Sequence, residues 1–262
     1  MKKISLLILT VTGLLISCNI FEPENIPNDA NYPVTFPALP QATLDSLGNI
    51  LADLNPEQYC GTLDSLGFTG KESCHRHGDK TLAGQNEALK IAREALFRNR
   101  QFTNVFDTTQ LSVLNTMGLF DSTEWSIEYA EQQYLGKTIL DTRLTVIANS
   151  EGVLAIYNHW YPEFYIPASM VYDSTDVKNI LRGRILTFAG FGGEPHQFQI
   201  TLESMSGHKT VQTIVPYQTA HGVEMRLAWR VPVLMSGGFP DWFIYVDVIT
   251  GKTIRTRQLF RT

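Results

Sequence analysis

Apolar residues recur every three to four positions in three segments of the chain, which is the spacing of an amphipathic helix. We expect helices over residues 42–54, over residues 85–98 and in a third segment that begins near Asp173 or Ser174, either of which could cap it. Gly190, Gly192 and Gly193 are expected to end the third helix. The apolar stripes are Leu44, Leu47, Leu51 and Leu54; Ala88, Ile91, Ala92, Ala95 and Leu96; and Val177, Ile180, Leu181, Ile185 and Phe188.

Elsewhere apolar and polar residues alternate, which predicts strands with one buried face. After the second helix we expect strands at 125–134, 144–148 and 153–159, with a hairpin turn at 149–152. After the third helix the alternation predicts strands at 197–202, 210–217, 223–234, 242–248 and 253–259. A helix followed by a meander of strands, twice over, predicts an α+β fold with two tandem units. Each unit would be a helix packed on an antiparallel sheet.

These patterns divide the chain into five segments. We expect a signal peptide over residues 1–17, a tether over 18–41, a short helical segment over 42–80, a first unit over 81–168 and a second unit over 169–262. The tether is rich in proline, which disfavours helices and central strands and favours extended backbone. Its prolines are Pro23, Pro27, Pro33, Pro37 and Pro40.

The first eighteen residues predict export. Lys2 and Lys3 precede an uncharged, mostly apolar run over residues 4–16, which is shorter than the roughly 20 residues that a membrane span needs. The sequence Leu15-Ile16-Ser17-Cys18 resembles the bacterial lipobox. That resemblance implies cleavage before Cys18, acylation of its sulfur and a lipid-anchored location in the cell envelope. An ordinary secretory signal with an incidental cysteine is the alternative.

Composition and charge limit the classes of partner. The chain is 44% hydrophobic, which suits a globular body. Removal of residues 1–17 takes away two lysines and no acidic residue, so the net charge changes from −5 to −7. A mildly acidic body without a basic cluster argues against nucleic acid as a partner and against electrostatic docking on anionic lipid.

Two further cysteines allow two interpretations. Cys60 and Cys74 form an even pair, and we expect them to form a disulfide in an oxidising compartment. The alternative is a zinc site, because Cys74, His75 and His77 place three possible ligands close together. No Cys-x-x-Cys motif supports the metal site.

Two passages resemble a known family. The strands Met225–Val231 and Trp242–Asp247, with the turn Thr250-Gly251-Lys252, resemble a PepSY domain. The segment Gln133–Gly136, followed by the strand Leu144–Ala148, is similar to the propeptide region of thermolysin-type and fungalysin-type metalloproteases. Together these passages span residues 85–262, and the resemblance implies a cystatin-like helix on a curved antiparallel sheet in each unit.

The quoted residues also have structural explanations. We expect Trp229 and Trp242 to pack in the core between sheet and helix. Gly251 suits the positive φ of a tight hairpin turn, and Asp247 is expected to accept hydrogen bonds from turn amides.

Motifs for catalysis are missing from the sequence. There is no His-Glu-x-x-His, no Gly-x-Ser-x-Gly and no phosphate-binding loop. Two pairs place a carboxylate near an imidazole, Glu194 with His196 and Glu224 with His221, but both fall in expected loops. We therefore expect no catalytic residue, no cofactor and no bound metal.

The preferred hypothesis is a non-catalytic envelope lipoprotein whose PepSY-like units bind a protein partner. Because the related propeptides inhibit their own proteases, the resemblance implies an exported peptidase as one such partner. Two alternatives stay open. One is a zinc-dependent hydrolase that uses Cys74, His75 and His77, and the other is a structural subunit of an envelope assembly.

Overall fold

The computed structural model describes residues 32–55, 62–70, 84–119, 123–189, 193–235 and 240–259. The first elements are strand β1 (Val34–Pro37) and helix α1 (Gln41–Leu54), which confirms the predicted helix over 42–54. Two short strands, β2 (Thr62–Leu63) and β3 (Thr69–Gly70), then form a small hairpin.

The first sheet is covered by one helix. Helix α2 (Gln85–Arg98) has the predicted bounds and is followed by the short helix α3 (Arg100–Thr103). Four antiparallel strands lie in the order β4-β5-β8-β9. Their bounds are β4 (Val113–Leu119), β5 (Glu124–Tyr129), β8 (Leu144–Asn149) and β9 (Gly152–Asn158).

One hydrophobic core lies between α2 and one face of the first sheet. Ala92 and Leu96 of α2 are fully buried against Ile127 of β5, Val146 of β8 and Ile156 of β9. Full burial of each large apolar side chain contributes about 1.5–3 kcal/mol. Since side chains alternate along a strand, these contacts fix which residues of β5, β8 and β9 point away from the helix.

The side-chain amides of Asn55 and Asn99 tie α1 to α2. The Asn55 Nδ2 group donates to Asn99 Oδ1 at 2.7 Å, and Asn99 Nδ2 donates back to Asn55 Oδ1 at 3.0 Å. Both residues are buried at the ends of their helices, so the pair satisfies amide groups that would otherwise lack water.

A hairpin interrupts the strand predicted over 125–134. Strand β5 ends at Tyr129, and residues 133–134 belong instead to β6 (Gln133–Tyr134), which pairs with β7 (Lys137–Thr138). Leu135 and Gly136 between them both have positive φ, at 48° and 71°, as a two-residue turn of the primed type requires. The predicted strand was therefore too long, because the chain leaves the sheet at residues 130–132, before the turn at Leu135 and Gly136.

The second sheet is formed mainly by the C-terminal strands. Strands β12 (Val211–Thr219), β13 (Gly222–Val233), β14 (Asp241–Asp247) and β15 (Thr253–Leu259) follow each other in antiparallel pairs. Helix α4 (Ser174–Leu181) buries Val177 and Leu181 against Val231, Ile244 and Val246 of this sheet. Several antiparallel sheets with few helices confirm the α+β class.

The third helix is shorter than predicted. It begins at the predicted cap, where Asp173 Oδ1 accepts hydrogen bonds from the backbone N–H groups of Thr175 and Asp176, but it ends at Leu181. Gly183 follows with φ 84°, and the chain turns into β10 (Ile185–Ala189), which pairs with β11 (Pro195–Gln199). Ile185 and Phe188 therefore belong to a strand. Gly190 and Gly192 lie outside the described residues.

The end of the predicted 18–41 tether belongs to the second sheet. Strand β1 pairs with the first residues of β13, and its partners run from Val34 opposite Met225 to Pro37 opposite Gly222. The Tyr32 hydroxyl accepts a hydrogen bond from the backbone N–H of Leu227 at 2.7 Å. Burial, together with the negative charge of Asp247, raises the pKa of Tyr32 above its usual range. Proline at 33 and 37 suits these positions because β1 is a short edge strand.

The two sheets are joined through the segment after β7. Ile139 forms a parallel bridge with Ile214 of β12, and the backbone N–H of Leu140 donates to the Ile214 carbonyl at 2.9 Å. Ile139 and Ile214 are both fully buried. Asp141 forms an ion pair with Arg255 of β15 just beyond this contact.

Candidate functional site

A cavity of about 540 Å³ lies on the face of the first sheet that points away from α2. We call it the polar cavity. One wall comes from the β2–β3 region, and the floor comes from β5, β8 and β9 with the residues that flank them. Its lining residues are Asp64, Thr69, Gly70, Ser126, Glu128, Arg143, Thr145, Ile147, Tyr157 and His159.

Strand register explains the composition of the floor. Glu128, Thr145 and Tyr157 are direct cross-strand partners, so their side chains form one row across three strands. Arg143 and His159 form the next row, where the His159 backbone N–H donates to the Arg143 carbonyl at 2.8 Å. Each of these residues alternates with an apolar residue that faces α2. The amphipathic strands therefore produce the core and the polar floor together.

Acidic and basic side chains lie next to each other in the polar cavity. Arg143 Nη2 is 3.8 Å from Glu128 Oε1, and His159 Nε2 is 3.9 Å from Asp64 Oδ2. The other carboxylate oxygen of Asp64 accepts hydrogen bonds from the backbone N–H groups of Leu66 and Phe68. These bonds fix the Asp64 carboxylate at the edge of the cavity. Both contacts between an acidic and a basic side chain are longer than direct hydrogen bonds, which leaves hydrogen-bonding capacity on each partner.

Two buried hydroxyl groups of the polar cavity lack a partner among the described residues. Thr69 is 0% exposed and Thr145 is 4% exposed, and neither Oγ1 atom forms a hydrogen bond there. An unsatisfied buried polar group costs about 1–3 kcal/mol, so such groups usually have a partner. Both oxygens are enclosed by protein atoms, so these hydroxyls lower the stability of the fold and are not part of the accessible surface of the cavity.

A smaller cavity of about 260 Å³ continues from the polar cavity past Asp64 and His159. Tyr161 lines it and packs edge-on against Phe68, with ring centroids 5.1 Å apart. Burial, with the nearby charges of Asp64 and Asp141, raises the pKa of Tyr161 to about 12. The Tyr161 hydroxyl is therefore neutral at physiological pH.

Asp247, from the passage that resembles PepSY, has a structural role as expected. Its side chain is fully buried, and Oδ1 accepts hydrogen bonds from the backbone N–H groups of Ile249 and Thr250 at 2.9 and 2.8 Å. Its Oδ2 accepts from Arg226 Nη1 at 2.9 Å. Burial opposes the charge of Arg226, but its bonds to Glu224 and Asp247 outweigh this effect and raise its pKa.

The tryptophans and Gly251 of the same passage also match their predicted structural roles. Trp229 and Trp242 pack against the core under α4, and Trp229 Nε1 donates to the Tyr172 carbonyl at 3.0 Å. Gly251 has φ 65°, in the turn between β14 and β15.

Of the two carboxylate–histidine pairs of the sequence, the pair of Glu224 and His221 does not form. Glu224 Oε2 accepts from Arg226 Nε at 2.8 Å instead of meeting His221, which is exposed at the β12–β13 turn. His196 lies on β11, where its ring is 5.7 Å from that of Phe188. Sequence reasoning missed His159, although polar residues at every second position of β5 were a signal for a polar face of this sheet.

The lipidation, disulfide and zinc predictions concern residues outside the described part of the chain. These residues are Cys18, Cys60, Cys74, His75 and His77. Within the described ranges, no group of three or more His, Cys, Asp or Glu side chains could hold a metal ion. No helix in those ranges is both long and apolar enough to cross a membrane.

Strand β4 forms an edge of the first sheet. Among the described residues it pairs with β5 alone, and it carries no charged residue. Leu114, which lies at a register shift, is 71% exposed, and Met117 is 51% exposed. Proteins usually protect edge strands with charges or prolines, as Arg255 and Arg257 do on β15. The residues of β4 itself include neither a charge nor a proline.

Comparisons with known proteins add one structural likeness. No protein-family model matches the chain, and no curated protein matches it. Among solved structures, the chain is similar to the C-terminal domain of YpeB from Bacillus megaterium, with 9% sequence identity and a TM-score of 0.33. The match covers 86% of this chain and 100% of that chain. A likeness at this TM-score does not establish a shared fold, and the resemblance to PepSY domains stays a prediction from the sequence.

Proposed function

We propose that this chain is a non-catalytic, lipid-anchored protein of the bacterial envelope and that β4 binds an extended segment of a partner protein. The observation that carries the binding proposal is the uncharged, partly apolar edge of β4. The anchor rests on the resemblance of Leu15-Ile16-Ser17-Cys18 to a lipobox. Acyl chains on Cys18 would hold the body at the membrane, since each buried CH₂ contributes about 0.8 kcal/mol.

The mode of binding follows from the chemistry of a sheet edge. The outward N–H and C=O groups of an edge strand pair readily with an added strand, and side chains at alternate positions then supply specificity. A partner strand beside β4 would also cover Leu114 and Met117, which are exposed. Seven residues are enough for a short ladder of this kind.

The properties of β4 favour one type of occupant. Because the strand has no charge, a partner segment with apolar residues at alternate positions fits it best. The resemblance to metalloprotease propeptides makes an exported peptidase the first partner to test. A non-catalytic role is supported by Glu224, whose carboxylate is held by Arg226 rather than by a histidine.

Photo-cross-linking in intact cells tests where a partner binds. A photoreactive phenylalanine analogue would replace Met117 of β4, and a matched control would carry it at Thr256, which is exposed on the charged edge strand β15. We expect a cross-linked protein with the probe at position 117 and none at position 256. Absence of an adduct at 117, or the same adduct at both positions, contradicts the proposal.

A titration then tests the strand itself. The cross-linked peptide of the partner would be synthesised and titrated into the wild type, Met117→Lys and Thr256→Lys. We expect Met117→Lys to weaken the affinity for the peptide about tenfold or more, because it places a charged side chain against the apolar residues of the partner strand. Thr256→Lys should bind as the wild type does. Equal affinities for all three proteins overturn binding at β4.

The lipid anchor has its own test. Growth with an alkyne-labelled palmitate should label the wild type in the membrane fraction. Cys18→Ser should abolish the label and release the body from the membrane. Labelling that survives in Cys18→Ser, or an unlabelled mature protein that begins elsewhere, would remove the anchor from the proposal without affecting the β4 test.

A further inference from the structure

We propose that Arg230 and Arg257 bind a phosphate monoester on the second sheet, on the face that points away from α4. Val231 and Ile244 alternate with the residues of this face and pack against the helix. The proposal is independent of partner binding at β4. Three properties carry it: strand register brings arginines of β13 and β15 together, the acidic side chains nearby have other partners, and one of the arginines is partly buried without a counter-ion.

Strand register places the arginines on one face. Phe243 of β14 pairs with Arg257 of β15, and the neighbouring row joins Arg230, Tyr245 and Arg255 across β13, β14 and β15. Because adjacent strands are about 5 Å apart and side chains alternate between faces, these five side chains lie together on the same side of the sheet. The sequence did not reveal this cluster, since Arg230 is far from the other two arginines along the chain.

The guanidinium groups lie close to one point of this face. Arg230 Cζ is 4.7 Å from the centre of the Phe243 ring, so this side chain extends toward the row of Arg257. Burial raises the pKa of the Tyr245 hydroxyl. The positive charges of Arg230, Arg257 and Arg255 act against this shift. All three charges are therefore within electrostatic range of the same buried hydroxyl.

The acidic side chains of this face have partners of their own. Asp141 has Arg255, Asp241 has the backbone N–H of Met235, and Asp247 and Glu224 share Arg226. Within the part of the chain that the structure describes, neither Arg230 nor Arg257 forms an ion pair with an acidic residue. Two adjacent positive charges therefore lack a counter-ion in a chain whose net charge is −5. An anion could bind them without breaking an existing ion pair.

Protection of a sheet edge explains only part of this arrangement. Arg257 is exposed on the edge strand β15, where a charge discourages pairing with another chain. Arg230 lies on β13, between β12 and β14, so it has no edge to protect. Its side chain is half-buried, and its Nε is enclosed by protein atoms without a partner. A partly desolvated guanidinium without a counter-ion is costly, and the charge of an anion beside it would offset that cost.

Two adjacent guanidinium groups favour a phosphate monoester. Such a group carries about −1.5 to −2 charges at pH 7, which matches two arginines, whereas a carboxylate or a phosphodiester carries a single charge. Its terminal oxygens can accept hydrogen bonds from two guanidinium groups at once. A soluble ester and a lipid headgroup can both present this group, so the experiment has one arm for each source.

The test uses residues 18–262 with Cys18→Ser, so that no acyl chain contributes to binding. Glycerol 3-phosphate would be titrated by NMR, with dimethyl phosphate and acetate as singly charged comparisons. Vesicles of phosphatidylcholine, with and without phosphatidic acid, form the lipid arm. We expect glycerol 3-phosphate to bind more tightly than either comparison. Binding only to vesicles that contain phosphatidic acid assigns the lipid form of the same group. Absence of binding in both arms, or equal affinity for acetate, overturns the proposal.

Matched variants locate the site. Arg230→Gln and Arg257→Gln each remove one positive charge, and we expect either to weaken the affinity for the bound monoester about tenfold. Arg182→Gln is the control, because Arg182 is exposed at the end of α4, on the other side of the sheet. It should bind as the unsubstituted protein does. Equal affinities of all three variants overturn the assignment to this face.

Thermal unfolding checks that the variants fold. Arg257 is exposed, so Arg257→Gln should unfold at nearly the same temperature as the unsubstituted protein. A folded variant that loses the monoester therefore reports a lost contact. If Arg230→Gln unfolds early, because its guanidinium no longer packs on Phe243, Arg257→Gln supplies the comparison with Arg182→Gln alone.

Discussion

Gly222 lies so close to Phe36 that a β-carbon at position 222 would overlap the Phe36 carbonyl oxygen. This close approach is where β1 pairs with the start of β13. Gly222 also has φ 142°, which a side chain disfavours. The contact therefore allows the N-terminal strand to join the C-terminal sheet.

Gly222→Ala should destabilise the protein by weakening the attachment of β1. Gly152→Ala is the matched control, because Gly152 has φ 140° in a comparable hairpin position but has open space around a β-carbon. We expect Gly222→Ala to lower the free energy of unfolding by about 1–3 kcal/mol more than Gly152→Ala does. Urea unfolding measures this difference, and proteolysis near residues 38–40 should be faster only in Gly222→Ala. Equal losses would contradict a packed β1.

Asp247→Ala should be strongly destabilising. Removal of this carboxylate leaves Arg226 without one of its two acidic partners and leaves the amides of Ile249 and Thr250 unsatisfied. Loss of one partner of a buried pair costs about 3–5 kcal/mol. Asp141→Ala is the control, since its ion pair with Arg255 is partly exposed and should contribute about 0–1 kcal/mol. Chemical denaturation measures the free energy of unfolding of both variants. Similar losses in Asp247→Ala and Asp141→Ala would show that burial does not determine how strongly these ion pairs stabilise the protein.

Asp173 should make stability depend on pH. Hydrogen bonds from the backbone N–H groups of Asp176 and Thr175 hold the pKa of the Asp173 carboxyl below its usual range. The contribution of Asp173 to stability is then complete above the pKa of the carboxyl in the unfolded state, which is about 3.9. That contribution is lost as the pH falls through the lower pKa of the folded state. Asp173→Asn keeps a capping oxygen but does not titrate. The difference in the free energy of unfolding between the wild type and Asp173→Asn should therefore shrink below about pH 4. A difference that grows there would contradict a lowered pKa of Asp173 in the folded protein.

One hexapeptide occurs twice with two different structures. Thr-Leu-Asp-Ser-Leu-Gly lies inside α1 at residues 43–48, whereas at residues 62–67 it forms β2 and a turn. Gly48 has open space around a β-carbon, but Gly67 has φ 81° and its β-carbon would lie 3.0 Å from Leu39 Cδ1.

The same substitution should therefore have opposite effects in the two copies. Gly48→Ala should raise the free energy of unfolding by about 1 kcal/mol, because alanine favours a helix interior. Gly67→Ala should lower it by about 1–2 kcal/mol, because the side chain disfavours the left-handed conformation. Thermal unfolding of both variants measures the two signs. If both substitutions change the free energy of unfolding in the same direction, the structure described for one of the two copies is wrong.

The sequence predicted correctly the helices and strands whose structure depends only on the residues within the segment. Helix α2 was predicted at its observed bounds because its apolar stripe has a clear period and no internal turn residue. Strand β15 was predicted correctly because the alternation starts directly after the Gly251 turn. In these segments the local preference and the tertiary structure agree.

Long-range pairing explains what the sequence did not predict. Residues 34–37 are a strand only because β13 supplies an edge far along the chain, and their prolines favoured an extended tether. Ile185 and Phe188 continued the helical stripe of α4, but Gly183 ended the helix and β11 supplied a partner strand. The polar cavity depends on the register of three strands, which no single segment specifies.

The bond between Tyr32 and Leu227 joins positions that are 195 residues apart. During synthesis Tyr32 is made long before Leu227. Strand β1 therefore has no strand to pair with until most of the polypeptide, including β13, has been synthesised. Completion of this sheet is therefore a late event, and the nascent chain has an interval in which its leading segment stays available to chaperones.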